Sequence, residues 1–305
     1  MKRLLLASPR GFCAGVVRAI EIVETALEKY GPPIYVKHQI VHNRHVVSRL
    51  EKMGAIFIED IDEVPKGERV IYSAHGVSPE VRKKAKARDL IEIDATCGLV
   101  TRVHSAAIRY AKKGYHIILI GHRKHVEIVG TAGEAPDSTT IVESVEDVKS
   151  LAFEPGTRLF YLTQTTLSLD DVAQIVKALQ GKYPDIETLP TSSICYATTN
   201  RQEALKEIVE RAGLVLVVGD VMSSNSNRLR EVALNRGVRA ELINSPDEID
   251  SAWIADVDVI GLTAGASTPE DVVQACIAKL EKLGVDEIEE VILTKEEVEF
   301  ALPTI

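Results

Sequence analysis

The four cysteines of this 305-residue chain, Cys13, Cys97, Cys195 and Cys276, never form a C-x-x-C pair. That absence removes the local signatures of structural zinc, thioredoxin-type chemistry and haem attachment. A basic excess is missing too. The formal net charge is -9 and aromatic residues make up 5% of the chain, so a nucleic acid would find neither a cationic face nor stacking platforms. No apolar run approaches the roughly 18 residues that a membrane-spanning helix needs. The short apolar run in "MKRLLLASPRG" is too brief for a secretory signal core. There is no G-x-x-x-x-G-K-[ST], no strand-borne G-x-G-x-x-G and no D-D-x-x-D cluster, which excludes the usual nucleotide loops and magnesium-held diphosphate sites. Free thiols without a secretory signal point to a reducing cytoplasm, where cysteines are metal-binding or catalytic more often than disulfide-bonded.

What the chain does have is rhythm. Hydrophobic residues make up 45% of it, enough for a sizeable core. Apolar runs alternate with amphipathic stretches from end to end, the pattern of parallel sheets joined by crossover helices. The alternation repeats three times in one register. Cys13, Cys97 and Cys195 each end an extended segment ("LLLASPRGFC", "LIEIDATC", "LPTSSIC") and precede an amphipathic helix. A glycine follows each cysteine by seventeen or eighteen residues (Gly31, Gly114, Gly213) and is expected to cap the helix. A strand then closes on polar residues, at His42, His125 and Ser224, and an acidic stretch follows. Each repeat finishes on a second polar strand end: "SAHGVSP", "TQTTLS", "TAGAST". We therefore expect three similar α/β domains about a pseudo-threefold axis, spanning 14–96, 97–193 and 194–305, with residues 1–13 adding a strand near the centre. Ligands of such sheets gather outside the carboxyl ends of the strands, where all three cysteines fall.

Equivalent positions in three repeats can meet on an axis, which makes Cys13, Cys97 and Cys195 a candidate three-thiolate site. A helix start favours thiolate over thiol. Three thiolates suit either zinc with an open fourth position or a cubane iron-sulfur cluster with one iron free of protein ligands. Cys276, in "VVQACIAKLEKLG" with no partner in register, reads as a buried small hydrophobe.

Around the same strand ends lie His42, His75, His125, the threonines of "TQTT", the run "SSNSN" and Ser267. Short neutral donors and imidazoles of this kind can surround an anion such as diphosphate, aided by helix N-termini. His38, His45, His104 and His116 read instead as structurally satisfied or solvated. Glu127 is the carboxylate embedded in the ring, two residues beyond His125 on what reads as an extended segment. Burial and neighbouring negative charge would raise its pKa and suit it to delivering protons.

The segments "RGFCAGV", "IVHN", "SAHGVSP", "DATC", "TQTTLS", "ICYATTNRQEA", "SSNSNRL" and "TAGAS" together resemble the LytB-type 4-hydroxy-3-methylbut-2-enyl diphosphate reductases of the methylerythritol phosphate route to isoprenoids. The resemblance covers nearly the whole chain. It implies a trefoil of three α/β domains around an oxygen-sensitive 4Fe-4S cluster held by Cys13, Cys97 and Cys195. It implies diphosphate contacts from His42, His75, His125, Ser223, Ser224, Asn225 and Ser267, with the substrate hydroxyl oxygen on the open iron. Glu127 would supply protons, with His125 and Thr165 beside it. Two electrons, from ferredoxin, flavodoxin or a similar carrier, and two protons would give isopentenyl and dimethylallyl diphosphate. A cytoplasmic monomer or weak homodimer, without membrane or nucleic-acid partners, is expected.

Two positions depart from the family pattern, Gly98 and Val126, where proline is usual. Without that fixed backbone angle, Glu127 is expected to be less rigidly placed. Two other readings fit the residues alone: a zinc hydrolase with three cysteine ligands and Glu127 as general base, and a cluster-bearing regulator, which the acidic balance disfavours. The tail "VDEIEEVILTKEEVEFALPTI" reads as an extension packed on the third domain, or as a cover or subunit contact.

Overall fold

The computed structural model describes residues 2–303; Met1 and the tail residues Thr304 and Ile305 lie outside the described residues. The first repeat runs β1 (Lys2–Ser8), α1 (Ala14–Tyr30), β2 (Ile34–Lys37), α2 (Arg44–Met53), β3 (Ala55–Ile58), β4 (Arg69–Tyr72), α3 (Pro79–Ala87) and β5 (Ile91–Asp94). The second runs α4 (Gly98–Lys112), β6 (His116–Ile120), α5 (Val126–Ala132), β7 (Thr139–Val142), α6 (Val145–Ser150), β8 (Leu159–Thr163), α7 (Leu169–Lys182) and β9 (Glu187–Thr188). The third runs α8 (Tyr196–Val209), β10 (Leu214–Val218), α9 (Ser224–Asn235), β11 (Arg239–Ile243), α10 (Ser251–Ile254), β12 (Val259–Ala264), α11 (Glu270–Lys282) and β13 (Val285–Ile292).

Three parallel sheets result, ordered β3-β2-β4-β5, β7-β6-β8-β9 and β11-β10-β12-β1-β13. Position for position the orders coincide, with β13 as an added edge strand. The α/β class and its three parallel sheets are thus those expected. In each sheet the strand leading to a cysteine lies beside the strand that ends in the second polar cluster: β5 on β4, β9 on β8, β1 on β12. For Cys13 that strand comes from the opposite end of the chain, with Arg3 opposite Val259 and Leu6 opposite Leu262.

Parallel strands covered on both faces read as continuous apolar runs, and "LVLVV" of β10 is fully buried. Along β1 the side chains alternate between faces. Leu4 and Leu6 pack with Val273, Ile277 and Leu280 of α11, and Leu5 and Ala7 with Leu205 and Ile208 of α8. In the β6 sheet, Ile118 and Ile120 meet Val172, Ile175 and Leu179 of α7, whereas Ile117 and Leu119 meet Val103, Ala106 and Ala107 of α4 and Ile128 of α5. Each fully buried Leu, Ile or Val among them contributes about 1.5–3 kcal/mol.

These sheets fall into two compact units: Met1–Val17, His42–Val46 and Tyr196–Glu299 form one; Arg18–Val41, Val47–Cys195 and Phe300–Ile305 form the other. The first holds the five-stranded sheet and the second holds both four-stranded ones. Close packing explains why the latter two belong together. The His104 ring of α4 lies against Gly76 after β4 and Gly130 of α5, where an added Cβ would stand 3.2 Å from Nε2 and 3.3 Å from Cε1 respectively.

Two local expectations need correction. Gly31 and Gly114 have the positive φ of helix caps, +73° and +81°, but α8 ends at Val209 and Gly213 serves the sheet, its N–H donating to Val259 O at 2.9 Å. The start of the tail packs on the third sheet, in line with its reading as an extension there, as the edge strand β13 paired in parallel with β1 as far as Ser8 opposite Ile292. The segment after His125 is the short helix α5, so Glu127 lies in a first helical turn rather than on an extended run. No helix among the described residues is long and apolar enough to cross a membrane.

Candidate active site

Cys13, Cys97 and Cys195 each stand immediately before a helix, ahead of Ala14, Gly98 and Tyr196. Each backbone N–H is bonded to a strand-end loop. Cys97 donates to Ala74 O at 3.0 Å, Cys195 to Thr165 O at 3.0 Å and Cys13 to Ala266 O at 3.2 Å. The acceptors are, or adjoin, the polar residues singled out in the sequence: His75, Thr165 and Ser267. The three thiols lie outside any disulfide and are partly exposed, whereas Cys276 is buried on α11, and burial pushes its thiol up to about 12.

The larger unit holds the carboxyl. Glu127 is 2% exposed and sits in the first turn of α5, where His125 is the N-cap and its Nδ1 accepts from the Glu127 N–H at 3.2 Å. In a neutral ring this leaves the proton on Nε2. The carboxyl accepts twice from Thr165, from the backbone N–H at 2.7 Å and from the hydroxyl at 2.8 Å. A direct path of bonds therefore runs from Glu127 through Thr165 to the backbone of Cys195. Burial raises the Glu127 pKa to about 6 against the opposing pull of the two Thr165 bonds and of His104. Desolvation wins here because two hydrogen bonds replace only part of the water that a carboxylate loses.

Beside this group stands a row of imidazoles. His75 meets His125 edge-on at 5.9 Å between ring centroids and meets His38 on its other side at 5.9 Å, while Ser73 Oγ lies 3.2 Å from His75 Nδ1. Gln164, fully buried, fixes the neighbouring loop by accepting from the His122 N–H at 3.1 Å and donating to Thr166 Oγ1 at 3.0 Å.

In the smaller unit the polar residues collect around the start of α9. Ser223 is its N-cap and accepts from the Ser226 N–H; Ser224 is its first residue; its first turn holds no acid. Asn225 Oδ1 accepts from the Ala266 N–H at 2.9 Å, one residue from Ser267, whose hydroxyl donates to His42 O at 3.0 Å. A Cβ at Gly219 or Gly265 would lie 2.2 or 2.0 Å from Ser226 Oγ. Only glycine lets both strand ends close on this helix start. Each unit thus gathers its own share: His42, Ser223, Ser224, Asn225, Ser267 and Cys13 in one, His75, His125, Glu127, Thr165, Cys97 and Cys195 in the other.

Of the histidines read as structural, His45 reaches Asn244 O at 2.7 Å and His116 meets Thr140 Oγ1 at 2.8 Å. His104 pairs with Glu134 at 2.8 Å, and it also acts on Glu127 electrostatically, which its helical position did not signal. His38 pairs with Glu59 at 2.9 Å and belongs to the imidazole row. Arg201, fully buried against the loop before Cys13, has no local sequence signal at all.

Three partly exposed thiols outside any disulfide, each leading a helix, are a soft donor set of the kind iron-sulfur clusters take. Among the described residues no group of three or more His, Cys, Asp or Glu could hold a single metal ion. A cubane takes one thiolate per iron, so its ligands need not converge on one point.

Comparison with known proteins gives consistent matches. Residues 4–281 match the family described as LytB protein. The chain is 68% identical over 301 residues to the 4-hydroxy-3-methylbut-2-enyl diphosphate reductase of Protochlamydia amoebophila, covering 99% of this chain and 96% of that protein. It is 64% identical over 305 residues to the enzyme of the same name from Chlamydia pneumoniae, covering 99% and 98%. Among solved structures, the E-1-hydroxy-2-methyl-but-2-enyl-4-diphosphate reductase from Plasmodium falciparum superposes with a TM-score of 0.97 at 50% identity, covering 99% of this chain and 96% of that one.

Proposed function

The chain belongs to the LytB family, and from that premise we propose that it reduces 4-hydroxy-3-methylbut-2-enyl diphosphate. Two electrons and two protons replace the allylic hydroxyl, releasing water and leaving isopentenyl or dimethylallyl diphosphate. In this reading the three domains, 14–96, 97–193 and 194–305, form the family's trefoil, and Cys13, Cys97 and Cys195 hold a 4Fe-4S cluster. When bound, such a cluster supplies electrons and a Lewis-acidic iron. The electrons come from ferredoxin, flavodoxin or a similar carrier.

The protein's own residues do the rest. Ser223, Ser224 and Asn225 at the acid-free start of α9, with Ser267 and the imidazoles of His42, His75 and His125, bind the diphosphate through neutral donors and the helix dipole. Glu127, with its pKa raised to about 6, holds a proton at a pH where an exposed carboxyl has lost it. Thr165 Oγ, bonded to Glu127, passes a proton forward as it takes one from the acid. The observation that carries the reading is this buried carboxyl tied through Thr165 to the start of the Cys195 helix. No specific observation favours the zinc hydrolase.

Anaerobic turnover with reduced methyl viologen tests the proposal. Two viologens oxidised per substrate consumed, with the two five-carbon diphosphates as products, is expected. Release of inorganic diphosphate without viologen oxidation would replace the reductase by a hydrolase.

A further inference from the structure

The proposed reaction leaves one buried charge without a task. Arg201 of α8 is 0% exposed, and every nitrogen of its guanidinium has an acceptor inside the smaller unit. Nε and Nη2 reach Gly11 O at 3.1 and 2.7 Å, Nη2 reaches Phe12 O at 3.3 Å, and Nη1 reaches Ala197 O at 3.0 Å. Those acceptors are neutral. Negative charge comes from Glu296, which meets Nη1 at 3.0 Å and Nη2 at 3.2 Å and also accepts from Asn200 Nδ2 at 3.0 Å.

Gly11 and Phe12 are the two residues before Cys13. Other contacts hold the same loop: the Gly11 and Cys13 N–H groups donate to Ala264 O and Ala266 O at 3.3 and 3.2 Å, and Arg10 bonds Glu270 and Glu290, both at 2.8 Å. Gly11 has φ +65°, and a Cβ there would stand 3.2 Å from Thr268 O. The loop is therefore gripped between Arg201 and the end of β12. Glu296 lies in the stretch after β13, which is attached at its start by the Leu293 N–H to Ser8 O at 2.9 Å. Without Glu296 the guanidinium would be a buried charge with no counter-ion, and its grip on the two carbonyls would compete with a need for water.

We infer that Arg201 and Glu296 are positioning residues for Cys13: the stretch after β13 is a strut that fixes the loop carrying this thiol and, through it, the retention of the metal group the thiol holds. The inference rests on the cluster reading for the identity of that group. The positioning of the thiol stands on the contacts alone.

The test compares full-length Glu296→Ala, Glu296→Gln and Arg201→Lys with wild type, and uses Glu297→Gln as the control. Two rates are read: iodoacetamide alkylation of each cysteine in the metal-free chain, resolved by peptide mass, and iron release to a ferrous chelator from the anaerobically loaded enzyme. Glu296→Ala is expected to raise both Cys13 alkylation and iron release by about fivefold or more, because a buried pair has been broken. Cys97 and Cys195 alkylation should stay at wild-type rates, Glu296→Gln should fall between, and Glu297→Gln should change nothing. Should Arg201→Lys fail to accumulate as soluble protein, the two Glu296 variants still decide. Wild-type rates in Glu296→Ala, or an equal rise at all three cysteines, would overturn the strut. Selective exposure of Cys13 in a chain that loads no iron would support the strut and overturn the cluster reading instead.

Discussion

Two helix starts in this protein, those of α5 and α9, are both partly buried and both lined with residues singled out by the sequence, yet they are chemically opposite. The first turn of α5 contains Glu127; that of α9 contains no acid and is capped by a serine. At α5 the first turn carries the protein's own carboxyl, held by Thr165. At α9 the positive end of the dipole carries no acid within its own first turn, which suits a helix start to binding a phosphate. In the proposed function the first start stores a proton and the second receives charge from outside. Nearby cysteines mark both regions: Thr165 joins Glu127 to Cys195, and Ala266 joins Asn225 to Cys13.

The comparison can be broken at several strengths. Removing any of Cys13, Cys97 or Cys195 by Ser should abolish stable iron loading, while Cys276→Ser should leave it intact; iron and sulfide analysis decides, and loss only at Cys276 would overturn the repeat. Glu127→Gln should keep the fold and substrate affinity while lowering turnover by about 10²–10⁴-fold, the usual worth of general acid catalysis. Calorimetric binding measured beside turnover separates the two effects. Asn225→Asp keeps the acceptor for the Ala266 N–H but places a negative charge at the start of α9. It should raise KM for the diphosphate by about tenfold or more through like-charge repulsion, with little change in kcat.

A smaller effect concerns stability. The folded-state pKa of Glu127, about 6, lies above the ordinary carboxyl value of 4.5, so the folded chain binds more protons than the unfolded one between these limits. Its contribution is fully present below pH 4.5 and is lost as pH rises through about 6, amounting to roughly 2 kcal/mol. Denaturation at a series of pH values should show Glu127→Gln without that slope. The smallest change is expected from Val126→Pro. Position 126 is the first residue of α5, where a proline is tolerated, and Glu127 is already fixed by three hydrogen bonds. Turnover within about twofold of wild type follows, and a larger gain would show that backbone rigidity there limits the acid.

The repeated sheets were legible in the sequence because central buried strands such as β1, β6 and β10 are written as unbroken apolar runs, and because the cysteines recur in one register with them. Local signals failed where the deciding partner is distant. "VDEIEEVI" spaces its apolar residues like a helix, but pairs as a strand on β1, with Arg3 and Arg211 facing Glu289 and Arg10 facing Glu290. Glu127 looked extended because a His-x-Glu run carries no period, whereas the imidazole of His125 caps a helix there. Arg201 reads as one more polar residue of an amphipathic stretch; its acceptors at Gly11 lie 190 residues away. Gly213 looked like a cap because it sits in the same register as Gly31 and Gly114, but its helix ends four residues earlier.

The central proposal is that Cys13, Cys97 and Cys195 hold an iron-sulfur cluster. Iron and acid-labile sulfide content, with the absorption spectrum, on protein purified without oxygen tests it most directly. About four of each per chain and a broad brown absorption, both lost on changing Cys13, are the predicted result. Stoichiometric zinc, or no metal after anaerobic reconstitution, would contradict it.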